Sequence, residues 1–476
     1  MNAHTLDTIP VPEETASTSL TLSQKLTLLC LLLFLGYIIF HHLQTSSYWP
    51  HHLLAVVYAV ICFHKFFLIL RGLVKKQETI VSDVEIFSRH DWPVYSILLP
   101  LYRETEILPQ LCQAIEKIDY PKDRLEVILI LEEDDVETQR TVEKMSLPFW
   151  WRTIIVPDFP PKTKGKALNY GLAHAHGRYL VIYDAEDIPE PTQLKKAVIG
   201  FQRADPQVVC LQAKLNYYNP YQNILTKWFT AEYSTWFDLY LPGISSIQAP
   251  IPLGGTSNHF RTEVLRQLKG WDPFNVTEDC DLGIRIFKAG YRTAVLDTTT
   301  WEEANSQLGN WIKQRSRWVK GYIQTYFVHT RNPWQLLTKL GVVNFIHFNL
   351  IVGGNFFVLC FNPVAWFLFF WCLFSGLKTC FFPQYNKPFD TLGFALYLGN
   401  IAFILINVAG CLKRKYHRLL IPSLLSPFYW ILMSIGAWKG LWQYFFRPHF
   451  WEKTAHALFP AGKILTTQES ENTVQN

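Results

Sequence analysis

The sequence predicts an α/β domain inserted between transmembrane α-helices. Three observations carry this. Apolar runs of spanning length lie on both sides of a long, more polar stretch. Inside that stretch strand-like and helix-like patterns alternate, which argues for a mostly parallel sheet covered on both faces. Acidic and basic clusters follow the strand patterns, and ligands of open α/β sheets sit beyond the carboxyl ends of the strands.

Residues 1–24 are rich in Ser and Thr and are expected to be disordered. Residues 25–71 contain two apolar runs, 26–43 and 53–70, read as a helical hairpin in the membrane. No small-residue cleavage site follows the first run, so it does not read as a removed leader. Residues 92–305 form the α/β domain. Strands are expected at 95–100, 126–131, 153–156 and 179–183, with helices near 105–117 and 164–175. Residues 306–340 mix Trp311, Trp318, Tyr322 and Tyr326 with Lys and Arg, a composition that prefers the membrane–water interface. Residues 341–446 are expected to hold about four more spans. The run 342–376 is read as two spans joined by a turn at Asn362-Pro363, followed by 391–411 and 419–446, which makes six in all. Residues 447–476 form a tail.

The chain of 476 residues is 49% hydrophobic and 17% charged, with a net charge of +5. No nucleic-acid partner is expected. The placement of the charge is more telling than its size. Lys25 precedes the first run, Arg71, Lys75 and Lys76 follow the second, and the loop between them has no Lys or Arg. The positive-inside rule then places the α/β domain and both tails in the cytosol of a multi-pass protein of the plasma or inner membrane. Lys413, Arg414, Lys415 and Arg418 disagree with six spans. Either a basic loop is tolerated there, or one C-terminal segment lies in the interface. The nine cysteines show no CxxC pair and no zinc spacing.

Five clusters bear chemistry. Glu132, Glu133, Asp134 and Asp135 follow a strand pattern. They suit hydrogen bonds to a base and ribose, and equally an acidic helix start. Lys164 and Lys166 open a helix and can reach a diphosphate, or form a solvated turn. Asp184, Glu186 and Asp187 end the strand 179–183. Such carboxylates suit Mg²⁺ or Mn²⁺, which take hard oxygen ligands together with substrate phosphates. Thr277-Glu278-Asp279 opens another helix, where one carboxylate can cap and another can act as a base. In Gln314-Arg315-Ser316-Arg317-Trp318, the guanidinium groups suit a leaving diphosphate and Trp318 offers a flat face for a sugar ring.

These motifs, in this order, resemble the processive family 2 glycosyltransferases, such as cellulose, mannan, chitin and hyaluronan synthases. The resemblance covers roughly residues 92–330 and the flanking helices. It implies a GT-A domain in which Glu132 or Glu133 is near the nucleotide, Lys164 contacts the diphosphate, and Asp184 and Glu186 hold the metal. It further implies that Asp279 is the base and that Gln314, Arg317 and Trp318 form Q-x-x-R-W, with Arg315 beside them. Glu278, Trp318, Ser257, Asn258 and His259 would line the acceptor side. The second metal acid and the early acid are Glu here, where the family pattern has Asp. The resemblance implies a UDP-linked hexose donor and a growing β-linked polysaccharide as acceptor, with membrane lipids around it and export subunits as potential partners. A single transfer to a lipid-linked acceptor keeps the same chemistry. The segment Arg447 to Thr454 reads as an interfacial segment over the site.

Overall fold

The computed structural model describes residues 11–45, 49–75, 78–374, 391–450 and 452–454. The α/β domain is built on a nine-stranded mixed sheet. The strands are β1 (Glu78–Thr79), β2 (Tyr95–Leu101), β3 (Leu125–Glu132), β4 (Trp151–Val156), β5 (Tyr179–Ile182), β6 (Ile188–Pro189), β7 (Val208–Tyr217), β8 (Asn258–Arg261) and β9 (Arg292–Glu302). Their order is β1-β9-β7-β8-β5-β2-β3-β4, with β6 on β9. Strands β5, β2, β3 and β4 pair in parallel, as do β7, β9 and β1, while β8 runs antiparallel to both β5 and β7. The parallel strands β2, β3 and β5 are nearly all buried, as strands covered on both faces must be. Their apolar runs are therefore continuous, and alternation is lost.

The helices that matter for the site are α1 (Leu22–Thr45), α2 (Trp49–Val74), α3 (Lys164–His174), α4 (Ile224–Thr235), α5 (Glu278–Lys288), α6 (Leu308–His329), α7 (Pro333–Phe348), α8 (Gly354–Phe374), α9 (Thr391–Lys413) and α10 (Ser426–Phe446). Among the described residues, three segments are long and apolar enough to cross a membrane: Ala55–Val74, Pro333–Phe367 and Leu396–Lys413. The bent pair His417–Leu424 and Ser426–Phe446 would make a fourth if counted as one span.

Several expectations change here. No turn forms at Asn362-Pro363, because α8 continues through Pro363. A membrane helix tolerates proline where neighbours satisfy the freed carbonyl. The irregularity lies earlier, at Gly341 (φ 73°) and in the π-helical turn Asn349–Gly353. The end of that apolar run, 375–376, lies outside the described residues. The run 419–446 bends by 68° and stays against the α/β domain at both ends. Trp228 Nε1 donates to Pro422 O at 2.8 Å near its start, and Gln324 Nε2 donates to Pro448 O at 2.9 Å just past its end. Lys413 and Arg414 form ion pairs with Glu78 and Asp238 of the α/β domain. The basic cluster after α9 therefore sits on the domain's side, which favours the interfacial alternative for α10.

Helix α6 is not an amphipathic surface element. Trp311, Ser316, Lys320 and Ile323 are fully buried between α10 and the domain. Its aromatic and cationic side chains stack on one another instead of meeting lipid headgroups. The N-terminal segment also departs from expectation. Residues 1–10 are outside the described residues, but 11–21 pack on the domain. Thr15 Oγ1 and Ala16 N donate to Asp272 at 2.7 and 2.6 Å, and Glu14 pairs with Lys288 and His329. A Ser/Thr-rich segment orders when buried partners satisfy its backbone.

Candidate active site

The carboxyl ends of β5 and β9 face one cavity of about 440 Å³. Beyond β5 the chain leaves the sheet with Asp184, Glu186 and Asp187. Asp187 is buried and accepts from the Asp184 backbone N at 2.7 Å and from the Thr256 hydroxyl. This folds the turn and aims Asp184 and Glu186 into the cavity. Glu302, the last residue of β9, lines it too. Burial, then repulsion from Asp184 and Glu186, pushes Asp187 well above the ordinary carboxylate range. Burial and the same acids do this to Glu302.

Lys164 opens α3 after the N-cap Thr163, whose hydroxyl donates to Pro273 O at 2.7 Å. Its ammonium donates to Gly255 O at 2.7 Å and pairs with Asp184. Burial alone would lower this lysine, but Asp184 and Glu278 outweigh it and hold its pKa above the ordinary value. Gly255 is the meeting point. A Cβ there would stand 3.4 Å from Asp279 Oδ2, 3.9 Å from Lys164 Nζ and 4.0 Å from Asp184 Oδ2. The glycine leaves the space between these groups open.

Glu278 and Asp279 begin α5. Thr277 takes the N-cap position without a side-chain cap, so the first-turn carboxylates stay available. Asp279 Oδ1 accepts from the Cys280 backbone N at 2.8 Å, which orients its other oxygen. The preceding loop is tied to α6. Asn275 Nδ2 donates to Thr325 Oγ1 at 3.0 Å, and Val276 N donates to Gln324 Oε1 at 3.1 Å. Gly321 permits this approach, since a Cβ there would meet Thr277 Oγ1 at 2.1 Å. Burial raises both carboxyls, and the charge of Asp279 raises Glu278 further. Lys164 and Arg317 only partly offset it.

From α6, Gln314, Arg317, Trp318 and Tyr322 line the cavity, at spacings that put them on one side of the helix. Trp318 stacks on Tyr233 (centroids 6.2 Å apart, planes 29°). Arg315 is different. It bonds Glu232 through both terminal nitrogens and donates to Tyr429 Oη at 2.8 Å. Its guanidinium carbon lies over Phe229 (4.4 Å), Trp318 (4.7 Å) and Trp311 (5.1 Å). The expectation that Arg315 meets the diphosphate is corrected, because its charge is already neutralised. It braces the back of Trp318.

Other expected residues separate in the same way. Glu132 lines the cavity and pairs with the fully buried Lys166 at 3.1 Å. Glu133 does not line it, and instead accepts from the Asp158 backbone N at 2.8 Å. Ser257, Asn258 and His259 are buried at β8 and do not reach the cavity. Ser257 Oγ donates to Thr300 Oγ1 at 2.6 Å, Asn258 Nδ2 donates to Gly254 O at 2.5 Å, and His259 Nδ1 pairs with Tyr95 Oη at 2.7 Å. The central antiparallel strand consumes them, and the preceding Gly254, Gly255 and Thr256 line the cavity instead. The sequence reading missed Glu302, Tyr102, Tyr233 and Lys65, which all line it. For Glu302 a signal existed: an acid ending a β-branched run. The others come from distant elements. Thr454 also lines the cavity, and Lys453 Nζ donates to Tyr102 O at 2.6 Å, so the end of the described chain closes over this mouth. Residues 455–476 lie outside the described residues.

Residues 93–321 match the model of a family described as "Glycosyltransferase like family 2". A probable glycosyltransferase, YdaM, of Bacillus subtilis is 26% identical over 273 residues, 56% of this chain and 64% of that protein. Glucomannan 4-beta-mannosyltransferase 2 of Arabidopsis thaliana is 26% identical over 370 residues, 75% of this chain and 65% of that protein. The chain thus spans just under two thirds of the length of these relatives. Among solved structures, mannosyltransferase PcManGT from Pyrobaculum calidifontis, in complex with GDP-Man and Mn²⁺, is similar at TM-score 0.45 and 18% identity, over 82% of this chain and 98% of that one. Residues 93–321 therefore form a glycosyltransferase family 2-like domain.

Proposed function

We propose that this family 2 glycosyltransferase domain transfers a hexose, with inversion, from a nucleoside diphosphate sugar to a β-linked glycan at a membrane surface. The observation that carries it is the convergence on Gly255 of Asp279, Lys164 and Asp184. It puts a base, a phosphate-binding cation and a metal-type acid around one open space. The glucomannan mannosyltransferases among the relatives make mannose the first sugar to test.

Asp279 takes the proton of the attacking hydroxyl as that oxygen bonds the sugar's anomeric carbon. The bond from that carbon to the diphosphate oxygen breaks on the opposite face. Lys164 and Arg317 offset the charge of the departing diphosphate. Trp318, held by Tyr233 and Arg315, presents the platform on which the acceptor sugar stacks. Glu278 lies beside Asp279 and shares its proton balance.

A divalent cation fits the acids of this site. Asp184, Glu186, Asp187 and Glu302 repel one another, and Asp187 Oδ1 is buried with no hydrogen-bond partner among the described residues. Among those residues no three His, Cys, Asp or Glu are grouped to hold a metal alone, which suits an ion held by one or two carboxylates and substrate phosphates. Asp184 and Glu186 would hold it, and when bound it supplies charge stabilisation to the diphosphate.

The test is a donor screen with the full chain in lipid nanodiscs, Mg²⁺ or Mn²⁺, and a panel of UDP- and GDP-hexoses. Nucleoside diphosphate release and product size are followed together, with D279N as control. Metal-dependent release lost in D279N supports the reading, and a ladder of chain lengths supports polymerisation. No release with any donor overturns it. One observation favours the single-transfer reading: the inner cavity is lined by apolar groups of the membrane helices, including Ile61, Val358 and Ile406.

A further inference from the structure

The cavity does not stop at the sheet. Beyond Trp318 it continues between α2, α8 and α9, and there Lys65 lines it. This lysine lies inside the apolar segment Ala55–Val74. A charge at such a place is costly and marks a functional position. Its ammonium lies 5.2 Å from the Phe403 ring centroid and 5.5 Å from that of Tyr240. Among the described residues no carboxylate comes within ion-pair distance of it. Glu232 lines the same cavity, but its carboxylate is taken by both terminal nitrogens of Arg315 and by Tyr429 Oη at 2.6 Å. Aromatic faces attract a cation only modestly. Lys65 thus lies without an ion-pair partner among the described residues, with Ile61, Val358, Phe403, Ile406 and Met433 around the inner cavity.

The lining also carries Asn355, Asn362 and Asn407, so it is Lys65, without an ion-pair partner among the described residues, that points to an anionic ligand. An anionic amphiphile fits this arrangement, with its sugar or hydroxyl end at Trp318, its anionic group at Lys65 and hydrocarbon against the apolar wall. We propose that Lys65 is the binding site for the phosphate of a lipid-phosphate acceptor, and so sets acceptor specificity. The inference rests on the glycosyl-transfer reading above, in its single-transfer form, and names the acceptor class for that form.

The test is equilibrium binding to the full chain in zwitterionic nanodiscs. Farnesyl phosphate and farnesol serve as matched probes, inorganic phosphate as a third, and wild type, K65R and K65M are compared. Donor binding is measured in parallel, so that loss of donor binding reports on the glycosyl-transfer reading by itself. The expected result is at least tenfold tighter binding of farnesyl phosphate than farnesol. That preference should collapse in K65M and persist in K65R. Equal affinity for the two probes, or an unchanged preference in K65M, overturns the proposal. Inorganic phosphate binding as tightly as farnesyl phosphate overturns the lipid source and leaves a free anion as the ligand.

Discussion

The two ends of the cavity are opposites. At the sheet end, Asp184, Glu186, Glu302, Glu278 and Asp279 gather around Lys164; burial raises the pKa of Glu302, Glu278 and Asp279, and neighbouring acids raise the first two further. At the membrane end the charges are few and already matched, except for Lys65. The first end carries the groups proposed above for a cation and a diphosphate. The second is lined mostly by apolar and aromatic side chains, with Asn355, Asn362 and Asn407 among them. Arg315 and Arg317, two residues apart on α6, fall on either side of this divide. One is consumed by Glu232, and the other lines the space near Asp279. The same residue type braces an aromatic ring in one setting and borders the acidic end of the cavity in the other, and only its neighbours decide.

The largest expected effect is at the acidic end. D279N should lower kcat by about 10²–10⁴-fold while donor affinity changes little, read by nucleoside diphosphate release and donor binding. Retained turnover would move the base elsewhere, with Glu278 the next candidate. The pH dependence sharpens this point. The base must be ionised, and its pKa is raised by burial. Turnover should therefore rise with pH through a midpoint above the ~4 of an ordinary Asp. The sign for stability is opposite. A carboxyl whose folded pKa lies above its unfolded value binds more protons when folded, so the apo protein loses stability as pH rises through that window.

At the other end, R315M should cost about 1–3 kcal/mol of stability, because the half-buried Glu232 loses its partner cation and keeps only Tyr429 Oη, while the double change E232L/R315M costs less. Thermal unfolding of the purified variants checks this. R317M should shift the balance, with kcat/KM down by about tenfold or more and a smaller loss of unfolding temperature than in R315M. Equal behaviour of the two variants would erase the contrast. W318A should weaken acceptor binding by about 0.5–1.5 kcal/mol and W318F by less, read as acceptor KM. The smallest effect is expected from E14Q in the N-terminal segment. Burial would raise Glu14, but His329 and Lys288 lower it to about 2. Its contribution is present above the ordinary Glu value and lost as pH falls toward 2. Because the side chain is partly exposed, E14Q should cost no more than about 1 kcal/mol, seen as a slightly lower unfolding temperature at neutral pH.

Much of the site was legible because its chemistry is local. Asp184 and Glu186 end a buried apolar strand, Asp279 sits in the first turn of a helix, and Gln314, Arg317 and Trp318 share one helix side. What the sequence could not separate were residues adjacent in the chain but opposite in role. Glu132 from Glu133, Arg315 from Arg317, and Gly255 from Ser257 differ only in which way the backbone points them. The sheet is mostly parallel, as expected, but the antiparallel β8 was missed because it is short and its polar residues look like a loop.

By itself the sequence determined the α/β domain between apolar helices and the acids and cations at the sheet end of the cavity. Hydrophobic period, strand-end acids and helix-start motifs are encoded within a few residues. Tertiary structure alone decided that the run 419–446 lies along α6, that 11–21 is ordered, that Glu302 joins the acids, and that Lys65 faces the cavity. Each depends on contact between segments far apart in the chain. Such contacts are settled by which buried charge finds a partner, a competition that no local pattern records.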